Sequence, residues 1–403
     1  MYDFDTPVER HGTDCLKFDS AEERHRSPDL LSLWVADMDF PTAPEILDAI
    51  CARTRHGIFG YTAPGPAYFE ALDQWCTRRY GWHVPAEQVT FTPGVVYALA
   101  AAVRAFTMPG DAVVIQQPVY YPFASVVCDN GRTLVNAPLA YADGAYLIDF
   151  DAFEQTVREY EAKLFLLCNP HNPGGRVWTA DELTRLGEIC ERHGVIVVSD
   201  EIHMDFARPG HTHVPFLTLD ERITQHAIAC TSASKTFNLA GLQVANTVIP
   251  NVKMRRLFRA AVQATGFAEG NTLGLVATQA AYEHGEPWLE ELKAYLEGNW
   301  ALVADMLAQR APELKLVESG STYMAWIDCH ALGLYGADLQ RFIEDEAGLW
   351  LDCGDMFGKD GDGFIRINIA TQRAYLARAL DQLVTAVERI RHELCARRRP
   401  CPV

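Results

Sequence analysis

One lysine in this chain sits where simple packing would not put it. Thr231-Ser232-Ala233-Ser234-Lys235-Thr236-Phe237 follows the apolar run His226–Cys230, which reads as a buried strand, and small hydroxyl residues crowd Lys235. Desolvation disfavours the ammonium form, and a neutral lysine amine forms a Schiff base with a carbonyl. A turn at the surface can hold the same string, so the residues around it decide. Two further strand-like runs end in polar groups. Leu164–Cys168 leads into Asn169-Pro170-His171-Asn172-Pro173-Gly174-Gly175, and Val195–Val198 leads into Ser199-Asp200-Glu201-Ile202-His203. Asn172, Asp200 and Lys235 therefore come, in order, after three strand ends. Open parallel α/β sheets bind ligands there.

Other residues fit the same kind of site. Val89–Gly94 followed by Val95–Val103 reads as strand, glycine turn and helix. The free N–H groups and dipole of such a helix start attract phosphate-like anions. Tyr120 and Tyr121 follow the strand Asp111–Ile115 and offer an aromatic face, though aromatics there also serve as core. Tyr61 lies in the turn-rich Gly57–Thr62, where a tyrosine is usually a packing residue. Arg366 alternates with apolar neighbours in Gly363–Ala370; a buried arginine needs an anion, and its fork fits a carboxylate, whether a ligand's or that of a structural ion pair. His203, Asp205, His211 and His213 leave a metal site open as a weaker alternative.

Taken together, these motifs resemble the fold type I superfamily of pyridoxal-phosphate-dependent, aminotransferase-like enzymes. Trp34-Val35-Ala36-Asp37-Met38-Asp39-Phe40 and Asp200-Glu201-Ile202-His203-Met204-Asp205 are similar, more narrowly, to the MalY/PatB-type cystathionine β-lyases, and the likeness runs from about Asp3 to the last helix. The resemblance implies that Lys235 carries pyridoxal 5'-phosphate and acts as base. Asp200 would meet the pyridine nitrogen, and Asn172 and His203 the phenolic oxygen. Tyr120 would stack on the ring. The amides of Val95 and Val96, with Ser232 and Ser234, would hold the phosphate. Tyr61 would reach the partner's phosphate across a homodimer and, with Tyr120, assist departure of the leaving group. Arg366, the backbone at Ala36 and Asn172 would bind the substrate carboxylate. His203 replaces a tyrosine of many aminotransferases, which favours the lyase. Many relatives have an arginine eight residues after the lysine; here that position is Gln243, an absence MalY-like proteins share. The implied reaction is α,β-elimination on L-cystathionine or related cysteine S-conjugates. An aminotransferase is the alternative, and a pyridoxal-phosphate-binding regulatory protein a further one.

The elements that must position these groups are those of an α/β protein. The resemblance implies a large domain, residues 46–285, with a mostly parallel seven-stranded sheet flanked by helices. Residues 1–45 and 286–403 would form a smaller α+β domain. Thr42 is the expected cap of a helix with Pro44 in its first turn. Pro66–Tyr80 reads as a helix, as does Val252–Tyr282 with a break near Gly266–Asn271. Gln243–Pro250 reads as the one antiparallel strand. The basic tail Ala396–Pro400 is expected to be disordered.

Composition narrows the partners. Thirty-five Lys and Arg against 53 Asp and Glu leave a net charge of −18, which argues against nucleic acid and anionic membranes. Eleven cysteines without a C-x-x-C pair argue against zinc fingers and disulfide frameworks. The polar, acidic start Met1–Asp5 does not resemble a signal peptide, no apolar run reaches the length of a membrane span, and a reducing cytoplasm is the expected compartment.

Overall fold

Apolar runs bounded by polar residues build the centre of the larger of two compact units. Leu164–Cys168 and Ala227–Thr231 are buried at every position, and Ile196–Asp200 at all but the first. Strands covered by helices on both faces have this continuous pattern. The structure, a computed structural model, describes residues 2–397. Its main sheet has seven strands in the order Val89–Thr92, Ala245–Val248, Ala227–Thr231, Ile196–Asp200, Leu164–Cys168, Ala112–Ile115 and Thr133–Asn136. Ala245–Val248 is antiparallel to both neighbours, and every other pair is parallel. The expected mostly parallel seven-stranded sheet is thus present, with the expected strand reversed. Helix Val95–Phe106 packs Ala98, Leu99, Ala102 and Val103 into the same core as Val113, Leu166, Val198 and Ile228.

This larger unit comprises Pro41–Glu291 with Ser319–Thr322. Its helix Pro66–Tyr80 begins with proline and is closed by Gly81 in the left-handed region, φ 64°, the proline-first, glycine-last pattern of isolated helix signals. Helix Pro44–His56 differs from expectation at its start. Ala43, not Thr42, is the cap residue, no side chain caps it, and the buried Thr42 Oγ1 has no partner among the described residues. Pro44 itself removes one of the N–H groups that a cap would satisfy.

The smaller unit comprises the N-terminal segment to Phe40, Leu292–Glu318 and the chain from Tyr323 onward. The boundary at Glu291 falls inside the long helix Glu286–Arg310. A four-stranded antiparallel sheet has the order Lys315–Leu316, Met324–Asp328, Phe364–Asn368 and Asp352–Cys353. Leu31–Ser32 pairs in parallel with Leu349–Trp350. The last helix, Arg373–Arg397, runs through Ala396 and Arg397, where a disordered tail is expected. Arg398, Arg399 and Pro400, the rest of that expectation, lie outside the described residues. Among the described residues no helix is long and apolar enough to cross a membrane.

Candidate active site

Strand register brings three of the expected groups together beyond the carboxyl ends of the three central strands of the main sheet. Cys168 pairs with Asp200, and Asp200 with Cys230. Main-chain bonds continue past the strand ends. Asn169 N donates to Asp200 O at 2.9 Å, and Glu201 N donates to Cys230 O at 2.8 Å. The Asn172 loop, the Asp200 strand and the Lys235 strand are thereby tied side by side. Asn172 is buried; its amide donates to Cys168 Sγ at 3.3 Å, and its carbonyl accepts from Tyr120 N at 3.0 Å. Tyr120 packs half-buried on the core, while Tyr121 is the more exposed of the pair. Tyr120 is thus hydrogen-bonded to the Asn172 loop.

Burial dominates the electrostatics. It pushes the Asp200 carboxyl up to about 7; Glu201 adds to this, while the Ile202 amide at 3.1 Å and Lys235 oppose it. Such a carboxylate takes a cation readily, because a positive partner relieves the desolvation. Burial also pushes the thiols of Cys168 and Cys230 upward and holds His171 down at about 3, a neutral imidazole. Lys235 itself is half-buried in the short helix Ala233–Thr236.

Val95 and Val96 are the first two residues of helix Val95–Phe106, and Gly94 before them has φ 137° with open space where a side chain would stand. The backbone there is free to approach a phosphate. Ser232 is engaged differently from expectation. Its hydroxyl donates to Val244 O at 2.6 Å and accepts from Ser234 N at 3.0 Å, capping the lysine helix. A serine hydroxyl has one hydrogen to give, so in this structure the donor expected for a phosphate goes to the chain itself. Ser234 is half-buried. Gln243 stands in the left-handed region, φ 53°. Buried His203 leads into the single turn Met204–Phe206. Tyr61 is 97% exposed, beside exposed Ile58 and Phe59. A carbonyl-reactive amine, a cation-seeking carboxylate, anion-binding amides and an aromatic face match the chemistry of a phosphorylated pyridine aldehyde, so the residues present fit pyridoxal phosphate.

In the smaller unit Arg366 is 2% exposed in a strand buried throughout. Its Nη2 donates to Asp352 Oδ2 and, at 3.1 Å, to Trp34 O, and its guanidinium lies 4.8 Å from the Phe357 ring centre. Burial raises the Asp352 pKa and Arg366 opposes that shift. Ala36 O accepts from the Tyr323 hydroxyl at 3.1 Å.

Three features escaped the sequence. Asp352 is the anion a buried arginine demanded, but nothing in the string marked which carboxylate it would be. Glu201, beside Asp200, accepts from Ser199 Oγ at 2.9 Å and Phe216 N at 2.8 Å, with His213 Nε2 at 3.0 Å. Asp205 accepts from Thr236 Oγ1 at 2.7 Å. His213 and Asp205 thus serve buried networks. Among the described residues, no group of three or more His, Cys, Asp or Glu side chains is arranged to hold a metal ion.

Comparison with known proteins agrees with this geometry. The family model for aminotransferase class I and II matches residues 28–383. Cystathionine beta-lyase PatB of Bacillus subtilis is 42% identical over 384 residues, which cover 95% of this chain and 99% of PatB. Protein MalY of Escherichia coli is 34% identical, over 97% of this chain and 100% of MalY. Among solved structures, cystalysin from Treponema denticola, which contains a pyridoxal 5'-phosphate cofactor, superposes with a TM-score of 0.93 at 34% identity, covering 97% of this chain and all of that one. The pyridoxal-phosphate-bound C-S lyase from Staphylococcus hominis gives 0.90 at 34% identity, over 96% and 98% of the two chains. The chain belongs to the aminotransferase class I and II family of pyridoxal-phosphate-dependent enzymes and, within it, to the MalY/PatB type.

Proposed function

We propose that this protein is a carbon–sulfur β-lyase that converts L-cystathionine, or a related cysteine S-conjugate, and water to a thiol, pyruvate and ammonia; with cystathionine the thiol is homocysteine. The observation that carries the chemistry is the placement of Asn172, Asp200 and Lys235 at the ends of three adjacent parallel strands. The choice of lyase over transferase rests on the near-full-length likeness to PatB and MalY.

Pyridoxal phosphate, when bound, supplies a protonated ring that takes up negative charge developing at the substrate Cα, which lets a thiolate leave from Cβ. The chain's own groups do the rest. Asp200 would pair, ionised, with the ring nitrogen and keep its proton in place. Asn172 and His203 would serve the phenolic oxygen. Tyr120 would cover the ring, and Val95, Val96 and Ser234 would hold the phosphate, with Ser232 shaping the turn that presents Ser234. Lys235 would hold the cofactor through Nζ and, when free, would accept the Cα proton. Arg366 and the backbone at Ala36 would bind the substrate carboxylate; the Asp352 bond and the Phe357 face hold the guanidinium plane beforehand. Tyr61 serves the partner's site in a homodimer, and Tyr61 and Tyr120 assist the thiolate's departure. Sulfur amino acid metabolism in the cytoplasm, as in methionine biosynthesis, is the setting that fits this reaction.

Pyruvate release from L-cystathionine tests the proposal, using cofactor-loaded protein, no added keto acid, and Lys235→Ala as control. Steady pyruvate from the wild type and none from the variant is the expected result. Amino acid loss that requires 2-oxoglutarate, without pyruvate, would make the protein an aminotransferase instead.

A further inference from the structure

We propose that Asp205 is a positioning residue for this reaction: its buried carboxylate anchors Thr236 and so sets the orientation of Lys235. The inference rests on Lys235 being the cofactor-bearing lysine. Asp205 is 3% exposed and Thr236 wholly buried. Oδ2 of Asp205 accepts from Thr236 Oγ1 at 2.7 Å. Its other oxygen accepts from the Tyr80 hydroxyl and lies 3.4 Å from Arg79 Nε. Arg79 is itself held by Glu286 at 2.8 Å and Glu290 at 2.9 Å. The carboxylate therefore links the last turn of helix Pro66–Tyr80 to the lysine-bearing segment.

The lysine helix needs such an anchor. Ala233–Thr236 has four residues, far fewer than the roughly 12 to 15 at which an isolated helix becomes even marginally stable. Its orientation must come from what grips its two ends. Ser232 grips the first through the Ser234 amide, and Asp205 grips the last through Thr236. Lys235 lies between the two. A helical threonine ordinarily returns its hydroxyl to a carbonyl one turn back; Thr236 sends it out to Asp205.

The same connector also serves Asp200. Glu201, immediately after Asp200, is wholly buried and engaged by Ser199, Phe216 N and His213. Four residues separate it from Phe206, the end of the turn that carries Asp205. One short segment thus grips the residue next to the ring-nitrogen partner and the residue next to the lysine. Buried carboxylates are poor devices for stability alone, since well-packed apolar residues serve as well or better. Two of them here, on a segment joining two cofactor groups, point to fixed geometry as the purpose.

Thr236→Val removes the hydroxyl at constant shape, and Thr236→Ser keeps it. With the holoenzyme, Thr236→Val is expected to lower kcat on cystathionine about 10- to 100-fold, with KM little changed, and to alter the visible circular dichroism of the lysine-bound cofactor. Thr236→Ser should restore both, and Asp205→Leu, which leaves Thr236 without that acceptor, should act like the valine. A lowered melting temperature in Thr236→Val with wild-type kcat and wild-type visible dichroism would overturn the proposal, leaving Asp205 a structural anchor only. The dichroism needs no substrate. It therefore tests the positioning even if the wild type fails to cleave cystathionine, and the valine–serine pair stands if Asp205→Leu does not fold.

Discussion

Replacing Asp200 by Asn is expected to stabilise the cofactor-free protein above neutral pH while disabling the enzyme. Burial pushes the Asp200 carboxyl up to about 7, against an ordinary value of 3.8. Between those values the folded chain holds a proton that the unfolded chain has released. Stability therefore falls as pH rises through that window, and the loss is complete above about pH 7. At about 1.36 kcal/mol per pH unit, the interval amounts to roughly 4 kcal/mol. Asn does not ionise, and its carbonyl can still accept from the Ile202 amide, which now donates to Asp200 Oδ1 at 3.1 Å. The advantage of the variant should be near zero in acid and grow to roughly 4 kcal/mol in mild alkali, on the order of 10 °C in melting midpoint for a unit of this size. Thermal denaturation of both proteins, stripped of cofactor, across this pH range measures it. Added cofactor should then raise the wild-type midpoint more than the variant's, because the ring cation pairs with the carboxylate. A difference between the two proteins that stays constant with pH would refute the reasoning, since it would mean that no desolvated carboxylate titrates there.

Two further outcomes are expected. Arg366→Lys keeps the charge but loses the fork that reaches Asp352 and Trp34 O; KM for cystathionine should rise by an amount worth about 2–5 kcal/mol, and an unchanged KM would remove Arg366 from the substrate site. Lys235→Ala and Tyr61→Ala proteins, each inactive alone, should regain roughly a quarter of wild-type activity when unfolded together and refolded as an equal mixture, because a hybrid dimer assembles one intact site; no recovery would mean that Tyr61 does not act across subunits.

Much of the site was legible because its signals are local. An apolar run followed by a polar residue marks a buried strand and its end, and so Asn172, Asp200 and Lys235 could be placed without knowing which strands adjoin. Pro66 and Gly81 bracket a helix by their own backbone preferences. Glycine before an apolar run marked the turn at Gly94 and the helix that starts at Val95. Where a local rule failed, as at Thr42, proline at the helix start had already removed a donor that the cap would serve.

Hydrogen-bond partners were not legible, because a partner is whichever group the fold brings near. Ser232 looked like a free hydroxyl in the sequence, but the reversed strand Ala245–Val248 lies alongside and the carbonyl of Val244, just before it, takes the hydrogen. Arg366 called for an anion, and which of 53 acidic residues answered was decided by the pairing of Asp352 opposite it in the small sheet. Tyr80 and Asp205 meet across 125 residues of chain, and no spacing in the string announces it. The residue types and strand ends by themselves determined what chemistry this protein could hold. Tertiary structure decided how those groups are gripped, because side-chain hydrogen bonds depend on distances in space that local sequence patterns do not encode.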